Sequence, residues 1–98
     1  MATQLNELVV QTLHTLRTKS FRELETLPSV TNETVKVGKK TVHVAIWMDR
    51  LAPDLVRVMV QAYRHYLLGT GMMSADGFHM TRSGEISPVT EEERCDFS

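Results

Sequence analysis

Three of the histidines and two of the aspartates are the side chains that could do acid–base or metal chemistry. They are His43, His65, His79, Asp49 and Asp76. Imidazole and carboxylate groups act as general acids, general bases and metal ligands where a fold brings them together. Their spacing matches no catalytic or metal motif, because the sequence has no H-x-H, no HExxH and no paired cysteine. Isolated histidines on a half-exposed strand are more common, so we expect no catalytic residue, no metal site and no cofactor.

The composition indicates one soluble domain without a strong charge preference. The 98 residues are 42% hydrophobic and 23% charged, with a formal net charge of −1. Such a chain forms a single domain and has no general attraction to nucleic acid or to an anionic membrane. Lys36, Lys39 and Lys40 could contact phosphates, but lysines commonly protect sheet edges, so we expect neither a nucleic-acid nor a membrane partner.

The cysteine content bears on the cellular compartment. Cys95 is the only cysteine, so no disulfide can form within the chain. We expect a reducing, cytoplasmic environment, since no basic leader and no apolar run of membrane-spanning length is present.

Residues 1–16 predict an amphipathic helix with Thr3 as a possible N-cap. Glu7 is the only charged residue in this segment. Either uncharged polar side chains cover the outer side of the helix, or the helix is covered on both sides, as in an oligomer. The apolar stripe consists of Leu5, Leu8, Val9, Thr12, Leu13 and Leu16.

Capping boxes of the form S/T-x-x-E predict two short helices. Ser20 and Glu23 form the first, and Pro28 ends the helix that follows. Thr90 and Glu93 form the second, which predicts a short helical turn near the C-terminus. Residues 29–33 have the composition of a loop.

From Glu33 onward the hydrophobic period changes to two, which predicts strands. Leu55–Leu68 is ambiguous, because Asp54 and Gly69 could cap a helix there. Valines at every second position favour a strand, since β-branched side chains suit a pleated sheet. The predicted strands are Thr34–Val37, Lys40–Arg50, Leu55–Leu68 and Met72–Thr81, with turns at Gly38-Lys39, Leu51–Asp54, Gly69–Gly71 and Arg82–Gly84. Asp76-Gly77 suggests a bulge or a close approach of the backbone.

These elements predict one α+β domain spanning residues 1–98. An N-terminal helical segment packs on a four-stranded, mainly antiparallel β-meander, and a short C-terminal helical turn follows. The valines at even positions face the helical segment. The opposite face is too apolar for a solvated sheet surface, so we expect a partner subunit, the C-terminal segment or a ligand to cover it. The candidate ligand or interface residues there are Trp47, Arg57, Met59, Gln61, Tyr63, His65 and Met73.

The second half of the chain contains several short motifs: Val60–Arg64, Leu68–Gly71, Ala75–Phe78, the Gly84 turn and the acidic end. In these motifs it resembles a group of small uncharacterised bacterial proteins that occur as orphan genes and on mobile elements such as integron cassettes. The resemblance implies a bacterial, cytoplasmic protein. It carries no activity over to this chain.

Three functions follow as hypotheses. The first is a non-enzymatic module that forms a homodimer or a larger homo-oligomer through the opposite face and the charge-poor helix. The second is a protein that binds a small apolar ligand between helix and sheet, or at a dimer seam, with Trp47, Met59, Tyr63 and Met73 as its lining. The third, least favoured, is a small enzyme that uses the histidines and Asp76.

Overall fold

The computed structural model describes residues 2–37, 40–65 and 71–96, and it confirms the α+β architecture. The side chains of residues 2–4, 37, 40, 65 and 71–72 are outside this description, as are the predicted turn residues Gly38-Lys39 and Gly69-Thr70. The elements are α1 (Ala2–Arg17), α2 (Phe21–Glu25), β1 (Val30–Val37), β2 (Lys40–Ala52), β3 (Leu55–His65), β4 (Gly71–Thr81), β5 (Ile86–Pro88) and α3 (Glu91–Asp96).

The described strands form a single antiparallel sheet in which strand order equals chain order, β1-β2-β3-β4-β5. The ambiguous stretch from Leu55 is a strand through His65, as its valine spacing predicts. The sheet has five strands rather than four, because Ile86–Pro88 pairs with Phe78–Met80 after the turn at Gly84. Gly84 has a φ of 94°, a conformation that glycine adopts without steric cost.

Two local predictions at the N-terminal side are wrong. Thr3 is not the N-cap of α1, because the helix already includes Ala2. Residues 29–33 are not a loop, since β1 begins at Val30 and pairs with Trp47 of β2. Asn32 and Thr34 are polar and exposed, so this edge strand lacks the apolar alternation that marks a half-buried strand.

One face of the sheet, here called the covered face, packs against α1 and α2. Val58 and Phe78 are fully buried there, on neighbouring strands, beneath the apolar stripe of α1. The even positions of β2 and β3 supply most of this surface, as predicted. Its buried members are Leu5, Val9, Leu13, Leu16, Phe21, Leu24, Val42, Val44, Val56, Val58, Val60, Ala62, Phe78 and Met80.

The short helix α2 is fixed at both its start and its inner side. The Ser20 hydroxyl accepts a hydrogen bond from the Glu23 N–H at 3.2 Å, and the Glu23 carboxylate accepts one from the Ser20 N–H at 3.1 Å. These two bonds confirm the predicted capping box. The Ser20 N–H and hydroxyl lower the pKa of Glu23 below its ordinary value. Phe21 and Leu24 are buried, so the helix belongs to the core.

Candidate functional site

The other face of the sheet, here called the open face, is ordered by the strand register into rows that cross β2, β3 and β4. Side chains at directly paired positions point to the same side of a sheet. Six of the seven predicted ligand or interface residues therefore lie together on the open face. His65 pairs with Gly71 at the end of β3, and its side chain is outside the description. The rows are His43–Tyr63–Met73, Ala45–Gln61–Ala75, Trp47–Met59–Gly77 and Asp49–Arg57–His79.

The last row forms a network of charged and polar groups around Arg57. Its Nη2 donates to Oδ2 of Asp49 at 2.9 Å, and its Nη1 donates to Oε2 of Glu93 at 3.0 Å. The same Glu93 oxygen lies 2.8 Å from Nε2 of His79. Side chains on three strands and on α3 thus meet at one point. Only about a fifth of the Arg57 and His79 side chains and 17% of the Glu93 side chain are exposed.

The electrostatics of Glu93 follow from these contacts. The Thr90 N–H donates to its carboxylate at 3.0 Å, which is the largest stabilisation of the charged form. His79 and Arg57 add to it, against the cost of partial burial, and the pKa of Glu93 falls to about 2. The Asp49 carboxylate, with Glu93, raises the pKa of Arg57 above its ordinary value despite burial. These contacts therefore favour the charged forms of Glu93 and Arg57.

Helix α3 is attached to the sheet mainly by ion pairs of its side chains. The Thr90 hydroxyl accepts from the Glu93 N–H at 3.1 Å, which completes the predicted second capping box. None of the residues in α3 is buried. Val89, just before the helix, is buried, and Arg94 reaches Asp76 of β4 at 3.3 Å. Within the part of the chain that the structure describes, side-chain ion pairs and the residue before the helix therefore hold α3 on the sheet.

The far end of the open face has a different character. His43 and Tyr63 stack across β2 and β3, with ring centroids 5.1 Å apart and an angle of 23° between the planes. Nε2 of Gln61 donates to Sδ of Met73 at 3.2 Å, and Met73 is 47% exposed. Trp47, Tyr63 and Gln61 are each half-buried. This end presents aromatic and uncharged polar groups to the outside.

In the middle of the open face, a glycine leaves room for a neighbouring side chain. A Cβ added at Gly77 would collide with the Val58 carbonyl oxygen and with Sδ of Met59. The Met59 side chain can therefore lie across β4 only because position 77 has no side chain. Met59 is fully buried and Ala75 nearly so, so neither adds apolar area to the surface of the open face. The predicted close approach at Asp76-Gly77 is confirmed.

The predicted histidine and aspartate group does not come together. His43 and His79 lie in rows six residues apart along β2, which is roughly 20 Å. Asp76 pairs with Val60 of the covered face and binds Arg94, away from Asp49. Within residues 2–37, 40–65 and 71–96, no three His, Cys, Asp or Glu side chains form a group that could hold a metal ion.

The predicted ligand residues also lie on the wrong side for a pocket between helix and sheet. A surface cleft of about 370 Å³ exists between α1 and the sheet, but Trp47, Met59, Tyr63 and Met73 are absent from its walls. They occupy the open face instead. The lining of the cleft includes Thr12, Leu16, Leu27, Thr31 and Ile46.

Glu93 is the member of the charged cluster that the sequence patterns reveal only in part. The capping box identifies it as a helix-start residue, and nothing local indicates that it reaches β3 and β4. The signal that could locate the rest of the cluster is the register, which places Asp49, Arg57 and His79 in one row.

Comparisons with known proteins give no relative. No protein family, curated protein or solved structure matches this chain significantly. No helix in the described part of the chain is long and apolar enough to span a membrane.

Proposed function

We propose that this protein is a non-enzymatic module that forms a homodimer through the open face of its sheet. The observation that carries the proposal is that the two ends of that face differ in chemical character. Glu93 of α3 binds Arg57 and His79 at one end, whereas the stacked rings of His43 and Tyr63 and the exposed Met73 lie at the other end.

The composition of this aromatic end suits a protein–protein interface. Interface cores are enriched in aromatic residues and methionine. The surface extends onto β1 through Asn32 and Thr34, which pair with Ala45 and His43, and the exposed Lys36 follows them on the same side of the strand. Methionine adapts its shape to a partner surface, and Met73 is already exposed. Two such faces could stack as in a β-sandwich, with the sheets about 10 Å apart.

The outer side of α1 supports the same proposal at a second surface. Val10 is 61% exposed, and Gln11 and His14 beside it are exposed and uncharged or weakly basic. A helix with so few charges on its outer side suits contact with another protein surface. We assign the main contact to the open face, because its aromatic groups offer the larger apolar area.

Light scattering after size-exclusion chromatography tests the dimer. The wild-type protein should have twice the monomer mass of 11.1 kDa. The double variant Tyr63→Glu with Met73→Glu should be monomeric, because it places two charges at the centre of the proposed contact. The matched control is Ile86→Glu, which adds a charge at a 44% exposed position outside the open face and should remain dimeric. A wild-type protein that is monomeric at every concentration would overturn the proposal.

A second candidate function is binding of a small ligand with an apolar part on the open face. The observation that favours it is that Arg57 and His79 together contact one carboxylate oxygen, beside Met59 and Trp47. The position of this carboxylate is called the seat below. Titration followed by Trp47 fluorescence tests this candidate, and an unchanged emission across a broad ligand library would argue against it.

A further inference from the structure

The side chains that surround the Glu93 carboxylate at the seat belong to the strands of the sheet. Arg57 and His79 occupy directly paired positions on β3 and β4, so the pleat holds both side chains on the same side. One oxygen of Glu93 receives Nη1 of Arg57 and faces Nε2 of His79. Asp49 occupies the other terminal nitrogen of Arg57, which orients the guanidinium. The sheet would therefore present the same groups to any carboxylate that replaced Glu93.

The group that occupies the seat belongs to a weakly attached element. Helix α3 has six residues, and a helix of that length is not stable by itself in water. It buries no residue, so little apolar area opposes its release. Release of α3 would separate Glu93 from Arg57 and His79 and would leave the fold of the sheet unchanged.

An apolar side chain adjoins the seat on the open face. Trp47 is half-buried and precedes Asp49 by two positions on β2, whereas Met59, which pairs with it on β3, is fully buried. A ligand whose acid group lay on Arg57 could therefore place an apolar body along Trp47. A small acid without such a body would compete poorly, since Glu93 is tethered and acts at a high effective concentration.

We infer that Arg57 and His79 form a binding site for an amphipathic carboxylic acid, and that Glu93 occupies this site in the free protein as an internal carboxylate. This inference deepens the ligand-binding candidate and rests on it, whereas the homodimer can fail without affecting it. The ligand carboxylate replaces the Glu93 carboxylate one for one, so the charge balance around Arg57 and Asp49 is unchanged.

Decanoate is a suitable probe, with decanol as its uncharged counterpart of equal chain length. Trp47 is the single tryptophan, so its fluorescence reports binding near the seat. Glu93→Gln should bind decanoate at least tenfold more tightly than the wild-type protein, because the internal competitor has lost its charge. Glutamine still supports a capping box, so the start of α3 is preserved. The matched control, Glu92→Gln, makes the same charge change at an exposed position of the same helix and should bind as the wild type does.

Two further measurements identify the seat. Arg57→Gln should abolish the preference for decanoate over decanol, and His79→Gln provides the same test if Arg57→Gln does not fold. Decanoate should also accelerate amide hydrogen exchange in residues 91–96 of the wild-type protein, because it releases α3.

Several outcomes would overturn the inference: no decanoate binding by either protein, equal affinity of Glu93→Gln and the wild type, or equal binding of decanol and decanoate. An increase in mass on substitution of Glu93 without decanoate binding would also overturn it, since the acidic helix of a second copy would then be the occupant. Light scattering without decanoate decides the homodimer separately, so a monomer that binds decanoate through Arg57 retains the inference.

Discussion

The two faces of the sheet are covered by different physical means. The covered face is sealed by apolar contact, with Val56, Val58 and Phe78 fully buried beneath α1 and α2. The open face is covered at one end by α3, which buries none of its residues and attaches through Glu93 and Arg94. Apolar burial is insensitive to pH and to competing ions, whereas ion pairs depend on both. One strand, β3, supplies alternate residues to both faces. It therefore connects the apolar core to a surface whose contacts depend on pH and salt.

Substitutions to alanine at two positions of β4, one on each face, should show the largest contrast between the faces. Phe78→Ala removes a fully buried ring from the covered face and should lower the free energy of unfolding by about 3–5 kcal/mol. Met73→Ala removes a 47% exposed side chain from the open face and should change it by less than about 0.5 kcal/mol. Urea denaturation of the two variants measures both values.

The contrast between the two faces requires a larger loss of unfolding free energy in Phe78→Ala than in Met73→Ala. Similar losses for Phe78→Ala and Met73→Ala would mean that the open face contributes to stability as the covered face does. The measurements belong at a protein concentration where the oligomeric state is known, because dissociation of a dimer would add to the apparent stability.

Removal of the two caps should give a smaller contrast of the same kind. Ser20→Ala should lower the free energy of unfolding of the whole domain by about 1 kcal/mol, because α2 carries two core residues. Thr90→Ala should shift the urea midpoint less than Ser20→Ala does and should speed amide exchange mainly in α3. Equal shifts of the midpoint by the two variants would show that α3 unfolds together with the core.

A further contrast is a pH dependence that belongs to the open face alone. Glu93 has a pKa of about 2 in the folded protein and an ordinary value of 4.5. Between these values the unfolded chain binds a proton that the folded protein does not, so the stability from Glu93 is complete above about pH 5 and is lost as the pH falls toward 2. Urea midpoints measured from pH 5 downward should therefore fall less steeply in Glu93→Gln than in Glu92→Gln. Parallel curves for the two variants would refute this assignment.

The arrangement of the covered face was predictable because it depends on periodicity. Alternating valines identified β3 as a strand, and the spacing of Leu5, Val9, Leu13 and Leu16 identified the buried side of α1. Both capping boxes were also predictable, since their four hydrogen bonds join residues only three positions apart. Sequence patterns therefore predict the features that depend on residues close together in the chain.

The charged cluster was not predictable in the same way, because it depends on register and on a distant helix. The turn between β2 and β3 pairs Ala52 with Leu55, and an irregularity between Arg50 and Ala52 then shifts the pairing by one residue. Without that shift Asp49 would lie opposite Val58 rather than Arg57. The short strand β5, which has three exposed residues, likewise carries no apolar alternation that could reveal it.

The order of the elements also has a consequence for synthesis on the ribosome. Helix α1 precedes the sheet in the chain, and its contacts in the sheet are with β3 and β4. The apolar stripe of α1 therefore emerges well before the surface that buries it has been translated. Since each strand pairs with its chain neighbour, the hairpins can form as they emerge, and α1 can dock only after β4 is complete. Until then the stripe remains without the surface that buries it in the folded protein.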